Sequence, residues 1–559
     1  MMLYLTMCIF APVLGTITVC LVSYYVVKYL QNRAKQVPLR DSKVHSWKPI
    51  KLSSRPWYCS ICETLLISEI GVYCDCCGVC ADPNCIKQAN RTLPCKIITS
   101  KVDSLNHHWV KGNLPIGATC TICGEECSQQ LGLVDYQCCW CQRAVHQQCI
   151  KLMSTECDFG PYRPLIVPPW CVQTARMKSS IHRHLLLRGV KDPGWPDWSP
   201  LIVVANRRSG NNDGDAILSE FRRILNPAQV IDLADRPPAA ALQWSVLCAP
   251  KPIRLLVAGG DGTVSWLLTT SHKMDLEPQP AIMILPQGTG NDLSRVLGWG
   301  KETPSEMDPT YIIEKIQEAK LSEIDRWKVE ITPSRHLGIS LPTKTQFMYN
   351  YFSVGVDAQV ALDFHRTRGS KFYWFSSRVF NKILYMFFGT NQVVWAECKN
   401  INKHMELFLD GKRVDLPQLE SVVVLNIPSW GAGVDLWSMI EDASSQSFKD
   451  GILEVIGIYS SFHIAQLQVG LSSPHRIGQA KTVEIRLNAM APVQADGEPW
   501  RQRPANIRIS LVDQAPVLVN RQRGTFTWNM ESTFLENLQF FIQTVCTKIR
   551  NKQTTNQEN

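Results

Sequence analysis

A chain of 559 residues is too long for one hydrophobic core and implies several domains. Its apolar share of 45% excludes widespread disorder. The formal charge of +9 is spread without a long basic run, so nucleic acid is not an indicated partner and only a weak attraction to anionic lipid follows.

In chain order, the first feature is MMLYLTMCIFAPVLGTITVCLVSYYVV, residues 1–27, which carry no charge. At about 1.5 Å of helical rise per residue, such a run crosses a hydrocarbon core of ~30 Å. Lys28, Arg33, Lys35 and Arg40 follow it. The positive-inside rule then leaves the bulk of the chain in the cytosol. The long apolar run and its uncharged start argue against a cleaved signal peptide. A membrane anchor is expected over residues 1–30, on the endoplasmic reticulum or plasma membrane, with Pro12 leaving a re-entrant hairpin open beside a full span. A buried core helix is the alternative.

Sixteen of the 22 cysteines fall between Cys59 and Cys157. From His107 the spacing reads H-x12-C-x2-C-x14-C-x2-C-x4-H-x2-C-x7-C, through Cys120, Cys123, Cys138, Cys141, His146, Cys149 and Cys157. Paired C-x2-C knuckles let two thiolates grip one ion from a tight turn, and eight ligands make two tetrahedral zinc sites. Disulfides would not require histidines at these intervals. A less regular copy lies upstream in His45, Cys59, Cys62, Cys74, Cys77, Cys85 and Cys95.

The eight-ligand spacing resembles the C1 domain, the module named for diacylglycerol and phorbol-ester binding. The resemblance implies interleaved sites, with His107, Cys138, Cys141 and Cys157 on one ion and Cys120, Cys123, His146 and Cys149 on the other. Where it implies a second histidine upstream, this chain has Asp82, and Asp82 or the nearby Cys80 is left to complete that site. Neither copy (45–95 and 107–157) has the Gln-Gly pair associated with ligand-binding C1 loops, so a structural or docking role stands beside lipid binding.

Residues 158–198, with PPW, PGWP and a basic patch at Arg176, Lys178, His182, Arg183 and His184, read as a linker. Beyond it LIVVA (201–205), QVIDL (229–233), IRLLVA (253–258) and AIMILP (281–286) are short apolar runs separated by helical stretches. In one of these, Ile217, Leu218, Phe221, Ile224 and Leu225 fall on a single face. This alternation predicts a parallel sheet covered on both faces, over 199–325.

Ligand loops in such sheets sit at the carboxyl ends of strands. Three glycine-bearing loops do so: Asn206 to Gly210 with Ser209; Gly259 to Thr263 with Gly260, Asp261 and Gly262; and Gln287 to Asp292 with Gly288, Thr289, Gly290 and Asn291. One such loop would be an ordinary turn. Three on one edge, each opening toward a helix N-terminus, suit an anionic phosphate chain. The chain has neither the P-loop pattern nor the protein-kinase motif set.

After about Ile324 the pattern turns nearly all β, which predicts a β-rich lobe over 326–530 and a tail over 531–559. The cleft between the lobes is the natural site, and Asp357, Asp450 and Asp496 lie near turns of the second lobe. Residues 361–390 interleave Phe364, Phe372, Tyr373, Trp374, Phe375 and Phe380 with His365, Arg366, Arg368, Lys371, Arg378 and Lys382. That mixture fits a helix in a membrane interface, with half-buried core as the plainer reading.

GGDGTV, LPQGTGNDLSRVLGWG, IDRWKV, NYFSVGVDA, FKDGILEV, RIGQA and QADGEPW follow one another between residues 201 and 518 and together resemble the catalytic region of diacylglycerol kinases. The resemblance implies a multi-domain chain: a membrane helix, two small zinc-bound C1-like α+β modules, then a two-lobed lipid-kinase unit with an α/β lobe followed by a β-rich lobe. It implies ATP, Mg2+ and Zn2+ as cofactors, diacylglycerol and membrane lipid as partners, and conversion of 1,2-diacylglycerol to phosphatidic acid in lipid signalling and phosphatidylinositol turnover.

The three glycine-bearing loops would then hold ATP. Asp496, in the D-G-E segment, takes the hydroxyl proton by carry-over, and Asp261 orders the nucleotide and its metal, with the reverse assignment open. Asp450 resembles the carboxylate of a structural magnesium site, against a plain surface turn. Two further readings remain: a non-catalytic C1 scaffold, and a kinase for a sphingoid base or ceramide.

Overall fold

The computed structural model describes residues 21–25, 38–39, 44–50, 56–66, 71–130, 132–176, 185–207, 213–288, 290–303, 308–334, 342–368, 398–441, 444–468 and 470–520. Of the anchor expected over 1–30, only Leu21–Tyr25 are described, and they are helical. Among the described residues, no helix is long and apolar enough to cross a membrane. The tail at 531–559 and most of the aromatic and basic stretch at 361–390 lie outside the described residues.

Each cysteine-rich module is built on a three-stranded antiparallel sheet, from residues 47–49, 72–74 and 80–81 in the first and 109–111, 136–138 and 144–145 in the second. The segment expected as a linker is packed instead. Phe159 is buried, and its ring centroid lies 5.6 Å from that of Trp170 and 5.8 Å from that of Trp195. Strands Val172–Arg176 and Leu185–Val190 pair antiparallel beside them. Its prolines and glycines read as a loop, but the tryptophans between them bury enough apolar area to fix the chain.

The next strands are β1 (Leu201–Ala205), β2 (Val230–Asp232), β3 (Arg254–Gly259) and β4 (Ala281–Pro286), hydrogen-bonded in the order β2-β1-β3-β4. All their pairings are parallel, as the unbroken apolar runs predict. Helix α1 (Asp213–Ile224) buries Ile217, Leu218, Phe221 and Ile224. Helices α2 (Pro238–Cys248) and α3 (Asp261–Lys273) flank β3, and the five-residue α4 (Asp292–Val296) follows β4.

The expected boundary at 325/326 is not a break in the sheet. Strand β5 (Lys320–Pro333) pairs along its whole length with β16 (Ala505–Val519), from Lys320 opposite Val519 to Pro333 opposite Ala505. Val517 of β16 also pairs in parallel with Ile282 of β4. One ten-stranded sheet therefore runs from the parallel strands into the β-rich region.

A second, six-stranded sheet includes β7 (Tyr351–Gly355), which follows β6 (Lys344–Met348), and β14 (Ala491–Ala495) and β15 (Glu498–Gln502), joined by the turn Asp496-Gly497. The turns before β7 and after β14 bring this sheet against α3.

Both cysteine-rich modules dock on α1. Lys96, wholly buried, donates its ammonium to the carbonyls of Arg222 (3.4 Å), Arg223 (2.8 Å) and Ile224 (3.2 Å) at the carboxyl end of α1. That is where a cation complements the helix dipole. The same ammonium lies 4.3 Å from the ring centroid of Trp140 in the second module. Arg222 pairs with the buried Asp75 at 2.8 Å, and Lys48 pairs with Asp215 at 2.6 Å.

Candidate active site

The loops after β3 and β4 touch. A Cβ on Gly260 would stand 3.1 Å from the Gly288 Cα, and one on Gly288 2.9 Å from the Gly260 Cα. Glycine is therefore needed at both positions for the loops to meet, whatever they bind. A Cβ on Gly259 would collide with the Thr263 side chain at 2.8 Å. Ser209, Gly210 and Thr289 lie outside the described residues, while Asn206 closes β1, its carbonyl packed under Gly214 of α1.

Asp261 opens α3, yet its carboxylate serves α4. Oδ2 accepts the Asp292 N–H and Oδ1 the Leu293 N–H, each at 3.0 Å. Sequence reasoning expected that helix end to face phosphate, but a carboxylate of the chain occupies it. The amino end of α3, by contrast, has no side-chain cap. Asn291, in the left-handed region at φ 53°, spends its amide on its own loop. It donates to the carbonyls of Gly288 (2.8 Å) and Lys301 (2.9 Å) and accepts the Gly288 N–H at 2.9 Å.

Asp292 is buried and receives the Ser429 hydroxyl at 2.5 Å and the Gly433 N–H at 3.0 Å, which ties α4 to the loop at 429–433. Burial, reinforced by the nearby Asp261 charge, pushes its carboxyl up to about 6.

Asp496 sits at φ 49° in the tight turn between β14 and β15. Its carboxylate accepts main-chain N–H groups from Tyr349 (2.9 Å), Asn350 (2.7 Å) and Tyr351 (3.2 Å), and the Ser265 hydroxyl of α3 at 3.2 Å. Burial nevertheless lifts its carboxyl to about 7 against the pull of those donors.

The Asp261 carboxyl is raised by burial and drawn back by the Leu293 and Asp292 N–H groups, with the Asn350 side chain nearby. Asp261 and Asp496, 235 residues apart, meet at α3: Asp261 opens the helix, and Ser265 one turn on donates to Asp496. Glu498 reaches over the first turn of α3, where a Cβ on Gly262 would lie 2.9 Å from its Oε1.

Sequence reasoning missed Asn350, Ser265 and Glu498. Asn350 opens the NYFSVGVDA motif and Glu498 closes D-G-E, so the signal was present; Ser265 is one helical turn after Asp261. Asp357 lies apart, buried against Ser421 (2.6 Å) and Gln494 (2.8 Å). Asp450 is exposed and closes a turn by accepting the Ile452 N–H at 3.1 Å. The buried carboxylate of that corner is Asp325, which accepts the Gly451 N–H and the Gln514 amide, each at 2.7 Å.

Three groups of four donors gather in the modules: His45, Cys74, Cys77 and Cys95; His107, Cys138, Cys141 and Cys157; and Cys120, Cys123, His146 and Cys149. The Cys74–Cys95 and Cys138–Cys157 sulfurs lie 3.7 and 4.0 Å apart. A tetrahedron with Zn–S bonds of ~2.3 Å has edges of about 3.8 Å, so the donors fit zinc. His45 and His146 turn their other ring nitrogens to the carbonyls of Leu93 (3.1 Å) and Glu126 (3.2 Å), as metal-bound imidazoles do.

The fourth group holds Cys59, Cys62 and Cys85 without Asp82. The Asp82 carboxylate instead caps a short helix by accepting the Asn84 N–H at 2.9 Å, and the Cys80 sulfur turns to the Gly78 carbonyl. Neither side chain completes that group.

Residues 200–329 match the diacylglycerol kinase catalytic domain, 347–499 the diacylglycerol kinase accessory domain, and 107–160 the phorbol ester/diacylglycerol binding (C1) domain. The chain is 32% identical to "Probable diacylglycerol kinase 3" of Caenorhabditis elegans, over 86% of this chain and 65% of that protein. It is 31% identical to the eye-specific diacylglycerol kinase of Drosophila melanogaster, over 89% of this chain and 39% of that one. To human diacylglycerol kinase theta it is 38% identical, over 56% and 34%. It thus spans less than two thirds of the length of these relatives. With its catalytic, accessory and C1 domains, the chain belongs to the diacylglycerol kinase family.

Proposed function

We propose that this protein transfers the γ-phosphoryl group of ATP to the free hydroxyl of 1,2-diacylglycerol at a membrane, yielding phosphatidic acid and ADP. One observation carries the reading: Asp496, with its carboxyl lifted to about 7, is held to α3 by Ser265, one helical turn after Asp261 at the touching glycine loops. A carboxyl near neutrality is suited to accept a proton at cellular pH.

In this reading the lipid hydroxyl takes the place of the Ser265 hydroxyl on Asp496. Its oxygen bonds to the γ-phosphorus, the bond from that phosphorus to ADP breaks, and the proton passes to Asp496. Asp261 would hold the Mg2+ that arrives with ATP, since it stands beside the loops of Gly260, Gly288 and Gly290 with part of its surface exposed. When bound, that cation offsets charge on the transferred group. The uncapped amino end of α3 supplies main-chain N–H groups to phosphate.

Three of the four donor groups fit Zn2+ fully. Asp450 beside the buried Asp325 is the place for a structural Mg2+. Tandem C1-like modules and an apolar N-terminus resemble the epsilon type of the family, and they support attachment to the endoplasmic reticulum or plasma membrane with the catalytic part in the cytosol. A role in phosphatidylinositol turnover follows from the proposed substrate. Competition among diacylglycerol, sphingosine and ceramide for labelled phosphate tests the reading: labelling of diacylglycerol alone supports it, and labelling of a sphingoid lipid alone replaces it.

A further inference from the structure

Asn350 does more than hold Asp496. It lies in the turn between β6 and β7 and is only 3% exposed. Its N–H makes the shortest bond to Asp496, its carbonyl accepts the Asn426 N–H at 2.9 Å, and its side chain lies near Asp261. Its Oδ1 alone is enclosed without a hydrogen-bond partner.

Two neighbouring buried asparagines set the contrast. Oδ1 of Asn291 accepts the Gly288 N–H at 2.9 Å, and Oδ1 of Asn426 accepts the Trp327 indole N–H at 2.8 Å. An asparagine that merely staples two parts of a fold is matched at both ends of its amide. A buried carbonyl oxygen left without a donor costs ~1–3 kcal/mol, so an unfilled one beside two site carboxylates marks a place for a ligand.

We propose that Asn350 is a substrate-contacting residue whose Oδ1 receives an O–H donor carried in by a reactant. This rests on the phosphotransfer reading above. Within that reading the donor is water coordinated to the cation of the nucleotide, because the single proton of the lipid hydroxyl goes to Asp496. The amide suits the position. It is a neutral acceptor, whereas a third carboxylate there would stand against Asp261 and Asp292. A hydrocarbon would offer the reactant no acceptor.

The test uses the full-length chain, wild type and Asn350→Ala, with Asn350→Ser as the second variant should the alanine form fail to fold. Calorimetry without lipid gives the Kd for the magnesium complex of a non-hydrolysable ATP analogue. Micellar assays give KM and kcat for diacylglycerol, and thermal melting reports the fold. Loss of one hydrogen bond predicts a change of ~10-fold. A raised analogue Kd with KM for diacylglycerol unchanged supports metal-bound water as the donor. A fall in kcat/KM for diacylglycerol with analogue Kd unchanged overturns the proposal, since the effect then runs through Asp496, which the Asn350 N–H holds, and a change in both supports it. Unchanged Kd, KM and kcat with only a lower melting temperature overturns it and leaves Asn350 a staple. If wild type labels no lipid, the phosphotransfer reading fails, while the nucleotide arm still reports on Asn350.

Discussion

The Ser265 hydroxyl donates to Oδ2 of Asp496 across 3.2 Å and joins the first turns of α3 to the turn between β14 and β15. It is a side-chain contact on a carboxylate otherwise held by main-chain N–H groups, and so the one a substitution can remove. Asp496 is active as base only when ionised, and burial lifts its carboxyl to about 7. The rate should therefore climb as pH rises through about 7 and level above it. Ser265→Ala removes a donor that favours the ionised form, so the acid limb of kcat/KM should move up by about one pH unit with the plateau retained. A limb that stays in place under Ser265→Ala would assign the titration to another group.

The same raised carboxyl has a consequence for stability. The folded Asp496 holds its proton up to about 7, whereas an unfolded aspartate releases it near ~3.9. Between those values the folded state binds more protons, and this group's contribution to stability falls as pH rises. Asp496→Asn lacks that slope. Its melting temperature should gain on wild type between pH ~4.5 and ~7, whatever constant offset the amide introduces, and run parallel above. Curves parallel throughout would mean that Asp496 titrates normally.

Lys96 ends α1 from outside the catalytic domain, with three carbonyls on one buried ammonium. Lys96→Met would take the ammonium from those carbonyls, of which that of Arg223 keeps the Gln142 amide, and cost about 2–4 kcal/mol. Hydrogen exchange should quicken over residues 213–224 in that variant, and also in wild type after zinc is chelated, because the Cys95 site holds Lys96 in place. Protection of α1 that survives chelation would show that the modules dock without their metal.

Zinc counting tests the exclusion of Asp82 from the irregular site. Asp82 is engaged with the Asn84 N–H and stands outside the group of Cys59, Cys62 and Cys85. Asp82→Ala should keep the wild-type zinc content by mass spectrometry under native conditions. Cys85→Ser should lose one equivalent. Loss of an equivalent from Asp82→Ala would restore that carboxylate as a ligand.

Much of this arrangement was legible in sequence because it is written in local patterns. The apolar runs at 201–205, 253–258 and 281–286 are the parallel strands, and Ile217, Leu218, Phe221 and Ile224 line the buried face of α1. The ligand spacing from His107 to Cys157 carried the C1 resemblance, and that resemblance foretold which donors meet.

What escaped depends on partners far apart in the chain. No local signal tells that Asp261 caps a helix beginning at Asp292, or that β16 pairs with both β4 and β5. The segment at 158–198 carries loop-like prolines, and only the tertiary fold reveals that Phe159, Trp170 and Trp195 pack together. Gly260 shows a further limit. It reads as a gap for phosphate, yet its lack of a side chain is already required by the Gly288 Cα at 3.1 Å. A substitution there breaks loop packing and binding together, so it is a poor test of either.

The most direct measurement is single-turnover transfer of labelled phosphate from ATP to diacylglycerol in mixed micelles, with wild type, Asp261→Asn and Asp496→Asn side by side. Nucleotide binding is followed in the same samples. Wild type should yield labelled phosphatidic acid. Asp496→Asn should bind nucleotide normally but transfer at least ~100-fold more slowly, as expected for loss of a general base. Asp261→Asn should lose magnesium-dependent nucleotide affinity. Normal transfer by Asp496→Asn, or a folded, zinc-loaded wild type that labels no diacylglycerol, would contradict the phosphotransfer reading.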